Sequence, residues 1–314
     1  MSGFFGKSVT THHFKIRERI VLKDLPKTFS NLELWCPIVP STPCQQVLSM
    51  EIQSPWPYEL NHEPEHGNLI LHVATHSAPS QEASLEVSYR VERFYSEPER
   101  LDGGRVVQTR PQAHLQRYLK SERFLPHSER TVALATKIVG DESHPLDRVR
   151  RVYSYVLECM RQRTLERIDR LGGQRVPDGQ DALWLFILLL RSLGIPCRPV
   201  SGHIVETAPE DGETCSMAGP HAWAEFYLDG LGWVPVDVKC ALKYGKQYLF
   251  GHLEAHHVAW CVGSEVQFVP PQKGTRVPFV LTPYVEIDGA PHVGVHSRLS
   301  YVELPVGRPS SREY

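Results

Sequence analysis

The chain has no apolar run that could cross a bilayer: its longest, residues 182–190, falls well short of the roughly 20 residues a spanning helix needs. It has no surplus of either charge. A formal net charge of −2 supplies no field to hold nucleic acid or an anionic membrane, so neither is expected as a partner. The seven cysteines show no CxxC pair and no regular spacing, which excludes a zinc ribbon and argues against a disulfide framework. Free thiols in a reducing compartment are expected. The first residues, Met1-Ser2-Gly3-Phe4-Phe5-Gly6-Lys7, lack the continuous apolar segment of a secretory signal, and a cytoplasmic location is expected. No Gly-rich phosphate loop and no metal-ligand spacing is present, so neither cofactor nor metal is expected. The sixteen histidines are scattered, and His12-His13 and His256-His257 are pairs without a third ligand nearby in sequence.

What is present is a globular composition, 41% hydrophobic and 22% charged over 314 residues, enough for two domains. Residues 1–95 read as an antiparallel β-sandwich domain. Phe14, Ile16, Ile20 and Leu22 alternate with polar neighbours, as do Leu85, Val87, Tyr89 and Val91; Leu32, Leu34 and Cys36 form a shorter alternation stopped by Pro37 and Pro40. Residues 96–112, rich in Pro, Gly and Arg, read as a linker, and 113–314 as a second domain. There Ser128 is placed to cap a helix carrying Val132, Ala135, Ile138 and Val139. A second helix follows Pro145 with Leu146, Val149, Val152, Val156, Leu157 and Met160 on one face. Asp178 is placed to cap a third, apolar all round and therefore buried, which Gly194 and Pro196 stop. Strands are expected at 199–205, 222–228, 233–236 and 258–262, with further strands to Leu304 completing this second domain.

The order of a buried helix opening at 179, a histidine on a strand at 221 and an aspartate on the next strand at 237 suits cysteine-nucleophile chemistry. A thiol on the first turn of a helix is acidified by the positive dipole end, and a histidine oriented by an aspartate serves as its base. Fifteen residues separate His221 from Asp237, with Asp229-Gly230-Leu231-Gly232 in the middle. They read as a hairpin that brings both side chains to one end of a sheet.

Gln180-Asp181, Leu188-Leu189-Leu190-Arg191-Ser192-Leu193-Gly194-Ile195-Pro196-Cys197-Arg198, His221-Ala222-Trp223-Ala224-Glu225 and Gly232-Trp233-Val234-Pro235-Val236-Asp237 together resemble the core motifs of the bacterial transglutaminase-like superfamily. The resemblance implies an α+β fold: an N-terminal antiparallel β-sandwich, then a papain-like core with a central buried helix on an antiparallel sheet. It implies His221 as catalytic histidine and Asp237 as catalytic aspartate. It also implies a nucleophilic cysteine twelve residues before Arg191, immediately ahead of Gln180-Asp181. That position is Gly179, where no acyl-enzyme can form. Lys239-Cys240 also departs from the resemblance, where a serine and an acidic residue are common.

The expected function is that of a relative lacking thiol catalysis. It would bind an acyl, amide or peptide-like ligand in the old groove, with His221 and Asp237 available for non-covalent acid–base work of isomerase, cyclase or lyase type. Asp178, Gln180, Trp223 and Cys215 are candidate binding residues. Two alternatives stay open: a non-catalytic protein acting as a binding or assembly partner, and a thiol hydrolase or transamidase with its nucleophile relocated to Cys215 or Cys240. Glu225 is expected in a structural ion pair, Trp233 at the groove wall, and Cys197 as a core filler.

Overall fold

A computed structural model describes residues 11–78, 80–94, 112–122, 125–162, 181–205, 213–243, 249–280 and 282–305. The first unit is built from strands β1 (Thr11–Leu22), β2 (Leu32–Pro37), β3 (Gln45–Gln53), β4 (Glu59–His62), β5 (Leu69–Thr75) and β6 (Ala83–Phe94). A 3-10 turn at Ala113–Leu119 leads to helices α1 (Glu129–Val139), α2 (Pro145–Arg161) and α3 (Asp181–Ser192). Strands β7 (Cys197–Ile204), β8 (Cys215–Ser216), β9 (Pro220–Leu228) and β10 (Gly232–Val236) follow. The short helix α4 (Val238–Lys243) and strands β11 (His257–Val262), β12 (Tyr284–Ile287), β13 (Ala290–Pro291) and β14 (Val295–Leu304) complete the order. The fold is α+β.

The strands make three antiparallel sheets, ordered β3-β6-β1-β14-β8, β13-β12-β2-β5-β4 and β10-β9-β7-β11. Period-two alternation in β1 and β6 sends Phe14, Ile16, Ile20, Leu85, Val87, Tyr89 and Val91 inward, where they meet Leu32, Leu34 and Leu71 of the facing sheet. The helices cover the four-stranded sheet, and α3 contributes every residue from Ala182 to Leu190 to that core. Each such Leu, Ile or Phe contributes about 1.5–3 kcal/mol through burial. Helix α3 ends in a Schellman turn: Gly194 takes φ +75, and Ile195 N–H reaches Leu190 O at 3.0 Å. Among the described residues no helix is long and apolar enough to cross a membrane.

Three expectations are corrected. First, β12 to β14 do not complete the second unit. β14 pairs with β1 over ten residues and β12 pairs with β2, so the C-terminal strands return to the sandwich. Residues 1–95 are therefore not a self-sufficient sandwich, and 113–314 is not one unit. Their burial pattern explains why this was illegible, since in β14 only Tyr301 is fully buried and alternation alone does not select a sheet. Second, Val132 is not on the buried face of α1. It is 44% exposed, while Thr131 is buried, held by a capping box in which Thr131 N–H donates to Ser128 Oγ at 3.2 Å and Ser128 N–H donates to Thr131 Oγ1 at 3.0 Å. Third, α4 follows β10 directly, where the pattern suggested only strands.

Side chains of the sandwich hold the four-stranded sheet at β11 and the segment that leads into it. The register of β11 on β7 shifts between Ala259 and Cys261. Buried Gln45 of β3 satisfies the backbone there, accepting from Ala259 N–H at 2.9 Å and donating to Ala259 O at 3.0 Å. Buried Arg93 of β6 donates to Ala255 O at 3.3 Å and to Cys44 O at 2.7 Å. The sandwich thereby grips the segment that leads into β11.

One inward position of β1 breaks the apolar rule. Glu18 stands between Ile16 and Ile20, 3% exposed, and accepts a hydrogen bond from Ser297 Oγ at 2.7 Å. Burial pushes its carboxyl up to about 7, against the opposing effect of the hydrogen bond from Ser297. As pH rises from 4.5 the unfolded chain ionises first, so this group withdraws stability progressively up to about pH 7 and by a constant amount above it. Glu18→Gln removes the titration. Urea denaturation at pH 5 and pH 8 should show the variant gaining on the parent by about 2–3 kcal/mol more at the higher pH; an equal difference at both values would assign the effect to packing instead.

Candidate active site

The β9–β10 hairpin sets the site. Its turn uses Gly230 and Gly232 at φ +88 and +78, and its register pairs Val236 with Ala224. Asp237 therefore emerges one residue past the end of β10, beside the face of β9 that carries His221 and Trp223. Asp237 also caps α4: its Oδ1 accepts from Cys240 N–H at 2.9 Å, and its carbonyl accepts from Ala241 N–H at 3.1 Å. The cap turns Oδ2 back toward the sheet.

Two imidazoles converge on that oxygen. His221 Nε2 lies 2.6 Å from Asp237 Oδ2 and His257 Nε2 lies 3.0 Å from it. Asp237 is fully buried, His257 is 1% exposed and His221 6%. Burial pushes the Asp237 carboxyl up, but the hydrogen bonds and charges of His221 and His257 together outweigh it and hold the group well below the usual carboxylate range. It is the anion of the site. His221 Nδ1 makes no hydrogen bond among the described residues, which leaves that nitrogen as the one able to face a ligand.

A glycine makes room for the aromatic wall. Gly202 of β7 pairs with His221; a Cβ there would stand 2.0 Å from Val258 O and 3.0 Å from Trp223 Cη2, so no larger residue fits. The Trp223 ring stacks on His221 at 6.3 Å and meets His257 edge-on at 5.5 Å. Its Nε1 is buried without a hydrogen-bond partner among the described residues. Across the same strands, Arg198 grips Glu225 through two bonds of 2.8 and 2.7 Å and lies 3.8 Å above the Trp233 ring. Glu225 thus sits in an ion pair, and Trp233 packs on the guanidinium. Cys197 is buried, with its thiol pushed up to about 12 chiefly by desolvation.

The candidate thiols separate. Cys240 Sγ is 3.7 Å from His221 Nε2, but that nitrogen is the one engaged by Asp237. Burial, reinforced by the Asp237 charge, raises the Cys240 thiol far above its ordinary range. This is the opposite of an activated nucleophile. Cys215 stands on β8, paired with Tyr301 of β14 in the sandwich sheet. The structure does not bring it into contact with His221 among the described residues. Asp178, Gly179 and Gln180 lie outside the described residues.

Sequence reasoning missed His257. The His256-His257 pair has no third ligand nearby in sequence, and the fold supplies the partners from β9, the β10–α4 junction and α4. His221, Asp237, Cys240 and His257 each present one ligand-type atom, all within 4.8 Å of one another. A histidine opening a strand carries no spacing signal that could have announced this.

Residues 132–238, which include His221 and Asp237, match the family model described as the Transglutaminase-like superfamily. An "Uncharacterized protein" of Haemophilus influenzae is 25% identical over 303 residues, covering 82% of this chain and 81% of that one. The crystal structure of a "Putative Cysteine Protease" from Cytophaga hutchinsonii aligns with TM-score 0.59 at 15% identity, covering 95% of this chain and 93% of the other. At that identity the likeness is one of fold.

The convergence on Asp237 has a measurable weight. Replacing it by alanine leaves two buried imidazoles and a helix cap without their acceptor. Asp237→Ala should lower stability in urea at pH 7 by about 3–5 kcal/mol; a loss below about 1 kcal/mol would mean that the imidazoles find other partners.

Proposed function

We propose that this chain is a transglutaminase-like protein that works without a thiol. It binds an acyl, amide or peptide-like ligand in the groove beside His221, and His221 and Asp237 act on that ligand as an acid–base pair without a covalent intermediate. The observation that carries the reading is the oriented pair itself. Asp237 engages His221 Nε2 at 2.6 Å, which selects the tautomer with its lone pair on Nδ1. A base so placed can take a proton from a carbon or nitrogen next to a polarised carbonyl and return it elsewhere on the same ligand. That is isomerase, cyclase or lyase chemistry. Gly179, immediately before Gln180-Asp181, supports the absence of an acyl-enzyme step.

The reading requires that His221 face the position of residue 179, and this is tested by returning a thiol to it. In Gly179→Cys, treated with a chelator, the introduced thiol should react with iodoacetamide at neutral pH about tenfold or more faster than Cys44 or Cys215 of the same chain. In Gly179→Cys/His221→Ala the rate should drop to theirs. The single variant should also gain amidase or transamidase activity. Ordinary reactivity in a folded variant would remove the acid–base reading and leave a binding or assembly protein.

A further inference from the structure

We infer that His221, Asp237, Cys240 and His257 form a binding site for one divalent transition-metal cation of zinc type, ligated by Nε2, Oδ2, Sγ and Nε2 respectively. The four atoms come from β9, the β10–α4 junction, α4 and β11, and all four residues are buried. In a tetrahedral site with metal–nitrogen bonds of about 2.0–2.1 Å and a metal–sulfur bond of about 2.3 Å, the nitrogen–sulfur edge is about 3.6 Å and the nitrogen–oxygen edge about 3.3 Å. The Cys240 Sγ to His221 Nε2 distance of 3.7 Å already has that length. The two nitrogen–oxygen distances of 2.6 and 3.0 Å need to open by about 0.7 and about 0.3 Å to reach that edge, within the reach of side-chain rotation.

Hydrogen-bond accounting at His257 points the same way. Its Nδ1 lies 3.3 Å from Glu254 O; a carbonyl only accepts, so Nδ1 carries a proton. In the neutral ring Nε2 then presents a lone pair, and it faces the Asp237 carboxylate at 3.0 Å. Either a second ring proton or a metal cation must lie between those two acceptors, and a metal cation satisfies both lone pairs. An imidazole whose outer N–H is tied to a backbone carbonyl is also the usual second layer of a metal site, where it fixes tautomer and ring orientation. Asp237 is prepared in the same manner: Cys240 N–H occupies Oδ1 and leaves Oδ2 as a single ligand atom.

The donor set selects the cation. Two neutral imidazoles, one carboxylate and one thiolate carry two negative charges, which a divalent ion neutralises inside a buried pocket. Mixed nitrogen, sulfur and oxygen donors suit zinc or cobalt and disfavour calcium and magnesium, which seek oxygen alone. On binding, the Cys240 thiol proton and any proton between Asp237 and His257 leave to solvent, while the His221 ring proton passes from Nε2 to Nδ1. The loaded site changes His221 as well. With Nε2 on the cation, Nδ1 holds the ring proton and becomes a donor, so metal occupancy and the role of Nδ1 as a base exclude each other.

Cobalt(II) titration of the chelator-treated full chain tests the site. The expected result is saturation at one equivalent, with a thiolate-to-cobalt charge-transfer band, visible absorption of tetrahedral intensity, and displacement by zinc. Cys240→Ser should abolish the charge-transfer band, and His257→Gln should weaken affinity by at least about tenfold, each with far-ultraviolet circular dichroism unchanged. The band in the unaltered sequence reports the thiolate ligand without recourse to any variant. Absence of saturable one-to-one binding or of that band would overturn the proposal. So would binding that persists in both variants and vanishes in His12→Ala, because His12, His256 and Glu303 form a second, half-buried cluster of ligand-type atoms. Cobalt binding is read on the chain with Gly179 intact and thiol alkylation on Gly179→Cys in chelator, so the two proposals fail independently.

Discussion

A single buried carboxylate organises this end of the molecule. Asp237 has no solvent of its own, so its charge must be met by protein groups, and the only way to meet it is to bring several elements to one point. Oδ1 takes the first-turn N–H of α4, and Oδ2 takes His221 from β9 and His257 from β11. The β9–β10 hairpin, the start of α4 and the start of β11 are therefore positioned by one electrostatic requirement. A displacement of any of them leaves either a naked carboxylate or a buried imidazole without a partner.

The sandwich takes part in meeting that requirement. His257 is the first residue of β11, and the path of the chain into β11 is gripped by Gln45 at Ala259 and by Arg93 at Ala255. Val258 and Trp260 pack into the sandwich core, while Ala259 packs with Trp223 on the site side. Strand β11 thus has one face in each unit. Arg191, buried at the end of α3, does the corresponding work on the helical side. It binds Glu122 at 2.7 Å and the carbonyls of Lys120 and Cys197, which join the segment before α1 to the start of β7.

How far the sequence could be read depended on the range of the interaction concerned. The buried helix, its glycine stop, the hairpin and the proximity of His221 to Asp237 are local matters, visible in Gly194, in Asp229-Gly230-Leu231-Gly232 and in an apolar run too continuous for a surface helix. Val132 was misplaced because periodicity treats a threonine as polar, whereas the capping box and packing bury Thr131 and rotate the helix accordingly. Helix α4 was missed because its start signal is the same aspartate that was read as a catalytic partner, and its six residues are too few to show a period.

By itself the sequence determined the fold class, the central buried helix, the hairpin that pairs His221 with Asp237, and the glycine at 179 where the resemblance leads one to expect a thiol. Only the tertiary structure decided that the last strands return to the first sheet, that Cys215 and Cys240 part company, and that His257 and Cys240 join the pair. The physical reason is the same in each case. Backbone pattern encodes which face of an element is buried, but not which distant element will cover it. A strand with one fully buried residue, or a histidine at a strand's first position, acquires its meaning from partners separated by tens to hundreds of residues in the chain.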